Sequence, residues 1–172
     1  MCSGILVRWN AKGTSRVADG VSIGGLIAAL VLWGGGVVQV QDTDPQSEGQ
    51  ARAVLEEYFR AWNATDNDAV AAVSNFPRLS LGLNGQVVVR ETPEEIATDF
   101  EILRQSGWDH SMLDLAEAVH VSPDKVHFRI VFSRYSVDGK PYTTVPALYV
   151  ITNQNGHWGL QLQSILPATF SR

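Results

Sequence analysis

Four runs of alternating apolar and polar residues fill the last third of the chain and are rich in Val, Ile, Phe and Tyr. Turns that contain Pro-Asp, Asp-Gly and Asn-Gly separate the runs, and these residues accept the backbone of tight hairpins. The pattern predicts a four-stranded antiparallel meander. Its strands are Asp109–Val121, Val126–Val137, Lys140–Gln154 and His157–Leu166.

Counting outward from the turns assigns each strand residue to one of two faces, because successive side chains point to opposite sides of a sheet. This register sets His120 opposite His127 and Glu117 opposite Ile130. A bulge, which Pro146 favours because it lacks an amide donor, would exchange the faces beyond it. The predicted core face carries Leu113, Leu115, Glu117, Val119, Phe128, Ile130, Phe132, Arg134, Thr143, Val145, Ala147, Tyr149, Ile151, Leu160, Leu162 and Ser164.

The opposite face is too apolar for plain contact with solvent and too polar for a core. Such a face often contacts another subunit, so we expect a homodimer through this outer sheet face. Its residues are Met112, Asp114, His120, His127, Arg129, Val131, Ser133, Tyr135, Thr144, Leu148, Val150, Gln161 and Gln163.

Helical patterns precede the meander. Residues of about Glu48–Asn63 repeat apolar side chains at helical spacing, and Asp66 is placed to cap a short second helix that ends near Ser74. Asn84-Gly85 is a strong hairpin signal between two short strands. Thr92-Pro93-Glu94-Glu95 then supplies an N-cap, a proline at the first helical position and a capping glutamate, which predicts a third helix ending at Gly107.

The first 48 residues form a separate region. Residues 1–20 carry Arg8, Lys12 and Arg16, residues 21–40 are uncharged and apolar, and residues 41–48 read as a polar linker to a domain at 49–167. About 20 apolar residues with a basic flank are typical of a signal-anchor helix, so we expect a membrane-anchored or exported protein. Two alternatives stay open. The first is a cleaved export signal. The second is that the given start lies upstream of the true translation start, in which case a cytoplasmic domain would begin near Gln46.

Composition narrows the classes of function. The chain of 172 residues is 45% hydrophobic, has a formal net charge of -5 and contains no cluster of Lys or Arg. Nucleic acid is therefore not an expected partner. Cys2 is the only cysteine, which excludes an intrachain disulfide and a cysteine-based metal site.

The order of two helices, a hairpin, a helix and a meander resembles the nuclear transport factor 2-like (NTF2-like) superfamily, also called SnoaL-like or cystatin-cone. The stretches 57–66 and 156–160, Glu-Tyr-Phe-Arg-Ala-Trp-Asn-Ala-Thr-Asp and Gly-His-Trp-Gly-Leu, add to the likeness. The resemblance implies an α+β fold in which a cone-shaped, curved antiparallel sheet wraps a long N-terminal helix and leaves a ligand pocket. It also implies a dimer built on the outer sheet face, in families that include both enzymes and pure binding proteins.

The opening helix is similar to that of ketosteroid isomerases. Tyr58, Asn63 and Asp66 fit the spacing of the tyrosine, asparagine and aspartate in that family. The carboxylates that the same chemistry needs would fall near Gly82 and Leu148, and neither residue can move a proton. The resemblance to this enzyme therefore stops at the helix, and Tyr58 can equally be a core aromatic.

Glu117 is the main candidate for chemistry, because a carboxylate on the core face would be desolvated. Arg134 lies on the same predicted face and could orient an anionic or carbonyl ligand. Alternatively, both side chains reach water at the ends of the cone or pair structurally. The predicted pocket residues are Tyr58, Trp62, Glu117, Arg134 and Tyr149.

No complete catalytic constellation, metal site or cofactor site is predicted. His120 and His127 lack a third ligand beside them, and two imidazoles are too few for a closed zinc site. The preferred hypothesis is a dimeric domain that binds a small apolar or carbonyl-containing molecule. The alternative is a SnoaL-like isomerase, dehydratase or hydrolase that uses Glu117 as acid or base, with Tyr58 or Arg134 assisting.

Overall fold

Helices and one curved sheet follow each other in the order that the sequence predicts. The structure is a computed structural model and describes residues 44–170. It confirms the α+β class with a long N-terminal helix. The elements are α1 (Pro45–Asn63), α2 (Asn67–Ala72), β1 (Ser74–Leu81), β2 (Val87–Arg90), a 3-10 turn (Pro93–Ile96), α3 (Phe100–Gln105), β3 (His110–Ser122), β4 (Lys125–Tyr135), β5 (Pro141–Gln154), β6 (His157–Ile165) and β7 (Thr169–Phe170).

The strands form one mixed sheet in the order β2-β1-β6-β5-β4-β3, with β7 pairing the start of β5. The predicted meander is confirmed, since β3 through β6 are antiparallel neighbours. The pairing of β1 with β6 is parallel, so the sheet is not antiparallel throughout. This pairing matters for function because it brings the residues of β1 beside those of β6.

Helix α1 begins three residues before the predicted start, within the predicted linker. The side chain of Asp44 accepts hydrogen bonds from the backbone nitrogens of Gln46 and Ser47, and Pro45 occupies the first turn. These features satisfy free amide groups and favour helix initiation. The helix then buries Leu55, Tyr58 and Phe59, among others, against the sheet.

The core lies between α1 and the concave face of the sheet. Phe128 and Ile130 of β4 and Ile151 of β5 are fully buried there, as predicted. Burying each such side chain contributes about 1.5–3 kcal/mol to stability. This apolar layer holds α1 at a fixed distance from the strands that carry the polar residues of the site.

Three bulges change the predicted faces. Strand β3 contains one extra residue at Asp114 and another at Val119, and β6 contains one at Gln161. An extra residue inverts the alternation of side chains beyond it. Pro146, where a bulge was predicted, pairs regularly with Val131.

The bulges correct several predicted placements. In β3, Ala116 and Ala118 face the core, whereas Leu115 and Glu117 face outward. In β6, the residues Gln163 and Ile165 share the concave side with the core of β5, and Leu162 and Ser164 take the outer side. The predictions for Leu115, Glu117, Leu162, Ser164 and Gln163 were therefore wrong.

The predicted third helix is divided in two. A 3-10 turn over Pro93–Ile96 ends at Ala97, whose ψ of 130° is extended, and α3 restarts with Asp99 as its N-cap. The side chain of Thr92 makes no capping hydrogen bond. Gly107 ends α3 as predicted, with a φ of +95° that an L residue rarely adopts.

The predictions for residues 1–20 and 21–40 lie outside the described residues. Within residues 44–170, none of the helices has the length and apolar character needed to cross a bilayer.

Candidate functional site

A cavity of about 220 Å³ lies between α1, the concave face of the sheet and the segment at residues 95–98. Four of the five predicted pocket residues line it: Tyr58, Trp62, Arg134 and Tyr149. The complete lining is Tyr58, Phe59, Trp62, Val70, Arg78, Ser80, Arg90, Glu95, Ile96, Ala97, Thr98, Ser111, Phe132, Arg134, Tyr149, Gln163 and Ile165.

Glu117 does not reach this cavity. It lies on the outer face of β3, opposite Arg129 of β4, and its half-exposed carboxylate forms an ion pair with that arginine. The extra residue Val119 accounts for the difference, because it shifts Glu117 to the other side of the strand. The candidate acid or base is thus separated from the cavity by the sheet itself.

Arg78 of β1 is the most informative residue of the cavity. It is only 5% exposed, yet among the described residues its guanidinium has no carboxylate partner. It donates to Ser74 Oγ at 2.9 Å, to Gln163 Oε1 at 2.7 Å and, more weakly, to the Tyr58 hydroxyl at 3.4 Å. A guanidinium has five N–H donors, so two remain for a ligand.

Two tyrosines surround this arginine. The guanidinium lies 5.2 Å from the ring centre of Tyr58, in a cation–π contact, and the Tyr58 hydroxyl also accepts from Gln163 Nε2 at 3.3 Å. Tyr149 meets Tyr58 edge-on at 6.2 Å. Burial raises the pKa of Tyr149, and nearby Tyr58 raises it further, so its hydroxyl stays neutral and can donate a proton in a hydrogen bond.

A second polar group of residues lies around Arg134 at the end of β4. Arg134 is opposite Ser111 of β3 and Thr143 of β5, and its guanidinium lies 6.0 Å from the ring centre of Phe132. Within residues 44–170 it has no ion-pair partner. The Oγ1 of Thr143 is buried and lacks a hydrogen-bond partner among those residues.

Arg90 and Glu95 lie on the β2 side of the cavity. Arg90 Nε donates to the Glu95 backbone oxygen at 3.0 Å, and the Glu95 carboxylate accepts from the Glu91 backbone nitrogen at 2.8 Å. Glu95 is exposed and is the only carboxylate that lines the described cavity. Three arginines and one glutamate give the lining a positive formal charge, in a chain whose net charge is -5.

Aromatic side chains form one wall. Trp62 contacts Tyr58 at 6.0 Å, Phe100 at 5.2 Å and Trp108 at 6.5 Å between ring centres. The last two contacts are edge-to-face, a geometry that stabilises aromatic clusters. Of this cluster, Tyr58 and Trp62 line the cavity, so they place an aromatic wall next to its positive charges, while Phe100 and Trp108 support Trp62 from outside the lining.

Two asparagines hold the cavity wall through paired hydrogen bonds to backbone. Asn63 accepts from the Ser111 nitrogen at 2.9 Å and donates to its oxygen at 2.8 Å, and Asn67 does the same with Thr98 at 2.9 and 3.1 Å. Asp66 caps α2 by accepting from the Ala69 nitrogen. Of the three residues that resemble ketosteroid isomerases, only Tyr58 lines the cavity, while Asn63 and Asp66 have structural roles.

The two histidines of the first hairpin face each other as predicted, with ring centres 5.7 Å apart. Burial, together with the charge of Lys125 and the neighbouring His120, lowers the pKa of His127. Within residues 44–170, no three His, Cys, Asp or Glu side chains converge as a metal site would require.

The family of the chain follows from its sequence. A family model described as NTF2-like protein (DUF6841) matches residues 47–162. The chain belongs to this NTF2-like family. The match covers α1 except its first two residues and most of the sheet, and it includes all cavity residues other than Gln163 and Ile165. Comparison with curated proteins gives no match.

Solved structures share the NTF2-like fold at low identity. A cystatin-like protein of unknown function from Nostoc punctiforme is 13% identical with a TM-score of 0.59, over 73% of this chain and 93% of its own. An NTF2-like protein from Novosphingobium aromaticivorans is 12% identical with a TM-score of 0.59, over 71% and 82%. A candidate dehydratase from Streptomyces avermitilis is 13% identical with a TM-score of 0.56, over 73% and 98%. These similarities establish the fold alone.

Sequence reasoning missed Arg78, Arg90, Glu95 and Gln163. Arg78 and Ser80 alternate with apolar neighbours in β1, but the parallel pairing of β1 with β6 could not be inferred from the sequence. Gln163 was assigned to the outer face because the bulge at Gln161 has no signal in the sequence.

Proposed function

We propose that this NTF2-like domain binds a small organic anion in its cavity. The negatively charged group would accept hydrogen bonds from Arg78, and an aromatic or apolar body would lie against Tyr58 and Trp62. The single observation that carries the proposal is Arg78, a nearly buried guanidinium with no carboxylate partner in the described part of the chain.

The energetics support an anionic ligand. Removing an ion from water costs several kcal/mol even after the protein relaxes, and neutral acceptors such as Ser74 and Gln163 return only part of it. A carboxylate would complete the charge balance and accept a charge-assisted hydrogen bond from a guanidinium donor that the protein leaves free. A neutral ligand of the same shape would leave the positive charge unbalanced.

Binding is favoured over catalysis. Glu117, the acid or base of the enzymatic alternative, is on the opposite side of the sheet, paired with Arg129. The lining carboxylate, Glu95, is exposed at the edge of the cavity and already accepts a backbone hydrogen bond. The arginines and the neutral Tyr149 are suited to hold and orient an anion, and a general base is not among them.

Isothermal titration of benzoate and benzamide tests the proposal, because the two molecules share a ring and differ in charge. We expect benzoate to bind the full chain at least tenfold more tightly than benzamide. Arg78→Met should remove benzoate binding, whereas Arg104→Met, which removes an exposed arginine of α3, should leave it unchanged. Equal binding of both molecules, or benzoate binding by Arg78→Met, would contradict the proposal.

We further propose that the domain forms a homodimer through the outer sheet face. Met112, Leu115 and Leu148 are 50%, 41% and 37% exposed on this face, and an apolar set of that kind supports a subunit interface. Sedimentation velocity should give a dimer for the wild type and a monomer for Leu148→Asp. Val137→Asp, at an 89% exposed position of the β4–β5 turn, is the control that should remain dimeric.

The expected membrane anchor or export segment at Val21–Val40 also remains a proposal. Membrane fractionation of cells that express the full chain, compared with a chain lacking residues 1–43, tests it. The full chain should sediment with membranes or leave the cytoplasm, and the shortened chain should stay in the cytosolic fraction. Identical fractionation would contradict it.

A further inference from the structure

Two arginines of the cavity, Arg78 and Arg134, have no carboxylate partner within residues 44–170 and lie at different positions along the sheet. Gln163, which accepts from Arg78, is opposite Tyr149 on β5, and Arg134 is opposite Thr143 on the same strand. These two positions of β5 are six residues apart along the strand, so the two arginines approach the cavity from separate rows of the sheet. The two side chains reach into the same cavity from these separate rows.

Apolar side chains fill the interval between the two arginines. Phe132 precedes Arg134 on the concave face of β4 and contacts Phe59 at 5.7 Å between ring centres. Both rings line the cavity, together with Ile165. A molecule that reached both guanidinium groups would therefore pass an apolar section between two polar ends.

The Arg134 end has its own unused hydrogen-bond donors. The Ser111 Oγ accepts from the indole nitrogen of Trp108 at 3.0 Å, so its own proton remains available for another acceptor. The neighbouring Thr143 Oγ1 is buried and has no hydrogen-bond partner within residues 44–170. Thr143 is not among the lining residues, so the indication of a missing acceptor at this end rests on Arg134 and the Ser111 hydroxyl, which do line the cavity.

The charge of the lining agrees with two anionic groups. The carboxylate of Glu95 offsets the charge of one of the three arginines. We assign it to Arg90, because Arg90 already donates a hydrogen bond to the backbone oxygen of Glu95. Arg78 and Arg134 are left without a balancing carboxylate in the described residues. The ligand that neutralises both carries two negative charges.

We propose that the ligand is a small dicarboxylate with an apolar or aromatic spacer, one carboxylate on Arg78 and the other on Arg134. This inference rests on the proposed function and adds the second contact. A phosphate monoester also carries two charges, but it would concentrate them at one arginine and leave the other unpaired. The separation of the two rows favours the dicarboxylate.

Titration of the full chain with terephthalate and with monomethyl terephthalate tests the inference. The two probes share the para-substituted ring, but one carboxylate of terephthalate is a neutral methyl ester in the second probe, which therefore carries one charge. We expect terephthalate to bind at least tenfold more tightly. In Arg134→Met this preference should disappear, and in Arg78→Met binding of all three molecules should be lost. Circular dichroism of both variants checks that they fold.

The possible negative results distinguish the dicarboxylate inference from the proposed function. Equal affinities of terephthalate and its monomethyl ester for the wild type would overturn the dicarboxylate inference, and so would a preference that survives in Arg134→Met. Benzoate binding that persists in either case would leave the proposed function standing. Absence of binding by benzoate and terephthalate alike would overturn both. Tighter binding of phenyl phosphate than of terephthalate would overturn the arrangement with two separate carboxylates.

Discussion

The paired hydrogen bonds of Asn63 provide a quantitative test of how the cavity wall is held. The side chain connects the last residue of α1 to Ser111 at the start of β3, with bonds of 2.9 and 2.8 Å. Ser111 is 3% exposed, so few water molecules can replace the amide. Asn63→Ala would leave the backbone nitrogen and oxygen of Ser111 without these partners.

The expected cost follows from those two groups. Each buried polar group that loses its partner costs about 1–3 kcal/mol. Water has partial access at Asn63, which favours the lower half of that range. The backbone nitrogen and oxygen of Ser111 together should therefore cost about 3 kcal/mol. The better helix propensity of alanine returns about 0.5 kcal/mol. The free energy of unfolding should therefore fall by about 2–3 kcal/mol, and Tm by about 5–10 °C for a chain of this size.

Urea and thermal unfolding, followed by tryptophan fluorescence, measure the change. Asn67→Ala is the matched comparison, because it removes the same pair of bonds from Thr98, which lies in a more exposed segment. Water can replace those bonds, so we expect a loss of about 1 kcal/mol. The reasoning would be refuted by a cost below about 0.5 kcal/mol for Asn63→Ala, or by a larger cost for Asn67→Ala.

Three further results are expected. Glu117→Gln should leave benzoate affinity and Tm almost unchanged, because its carboxylate forms only a surface pair with Arg129; a loss of binding would be inconsistent with its outward position. In thermal unfolding, Gly159→Ala should destabilise the protein by about 1–3 kcal/mol, because the new Cβ would lie 2.8 Å from the Asn75 backbone nitrogen. Gly49→Ala has open space around the new Cβ and should stabilise the helix by about 0.5–1 kcal/mol. Because the pKa of Tyr149 is raised in the folded protein, only the unfolded chain loses the Tyr149 hydroxyl proton just above pH 10. The free energy of unfolding should therefore fall there by about 1.4 kcal/mol per pH unit. Urea unfolding of Tyr149→Phe over the same pH range should show a shallower fall.

The sequence was sufficient for the elements whose signals are local. The meander strands follow from their turns, and the second helix follows from the capping position of Asp66, which the structure confirms. Four cavity residues were also identified, because the aromatic stripe of α1 and the alternation of β4 and β5 do not depend on distant contacts. Tyr58, Trp62, Arg134 and Tyr149 belong to these three elements.

The remaining site residues depend on interactions that local patterns do not contain. The bulges at Val119 and Gln161 reverse the positions of Glu117 and Gln163, and whether a bulge forms depends on packing of the whole sheet. Arg78 reaches the cavity because β1 pairs in parallel with β6, a long-range contact. Its burial could not be inferred from a charged residue in a short strand.

The charge of the cavity lining depends on the three-dimensional fold and cannot be read from the composition of the chain. A net charge of -5 and the absence of basic clusters in the sequence gave no indication of a positive cavity. Arg78 and Arg90 are opposite each other in the β1–β2 hairpin, but Arg134 comes from β4, which is distant in sequence, and only the sheet brings all three together. A low-dielectric enclosure strengthens the field of these arginines in the cavity, which supports the proposed binding of a small anion by an acidic protein.

The most direct test of the account is the crystal structure of the protein with 4-bromobenzoate, with the bromine located by its anomalous scattering. If the cavity binds an anion at Arg78, one bromine peak should lie in the cavity, with the carboxylate within hydrogen-bonding distance of the Arg78 guanidinium. A bromine peak elsewhere, or a carboxylate turned away from Arg78, would contradict it.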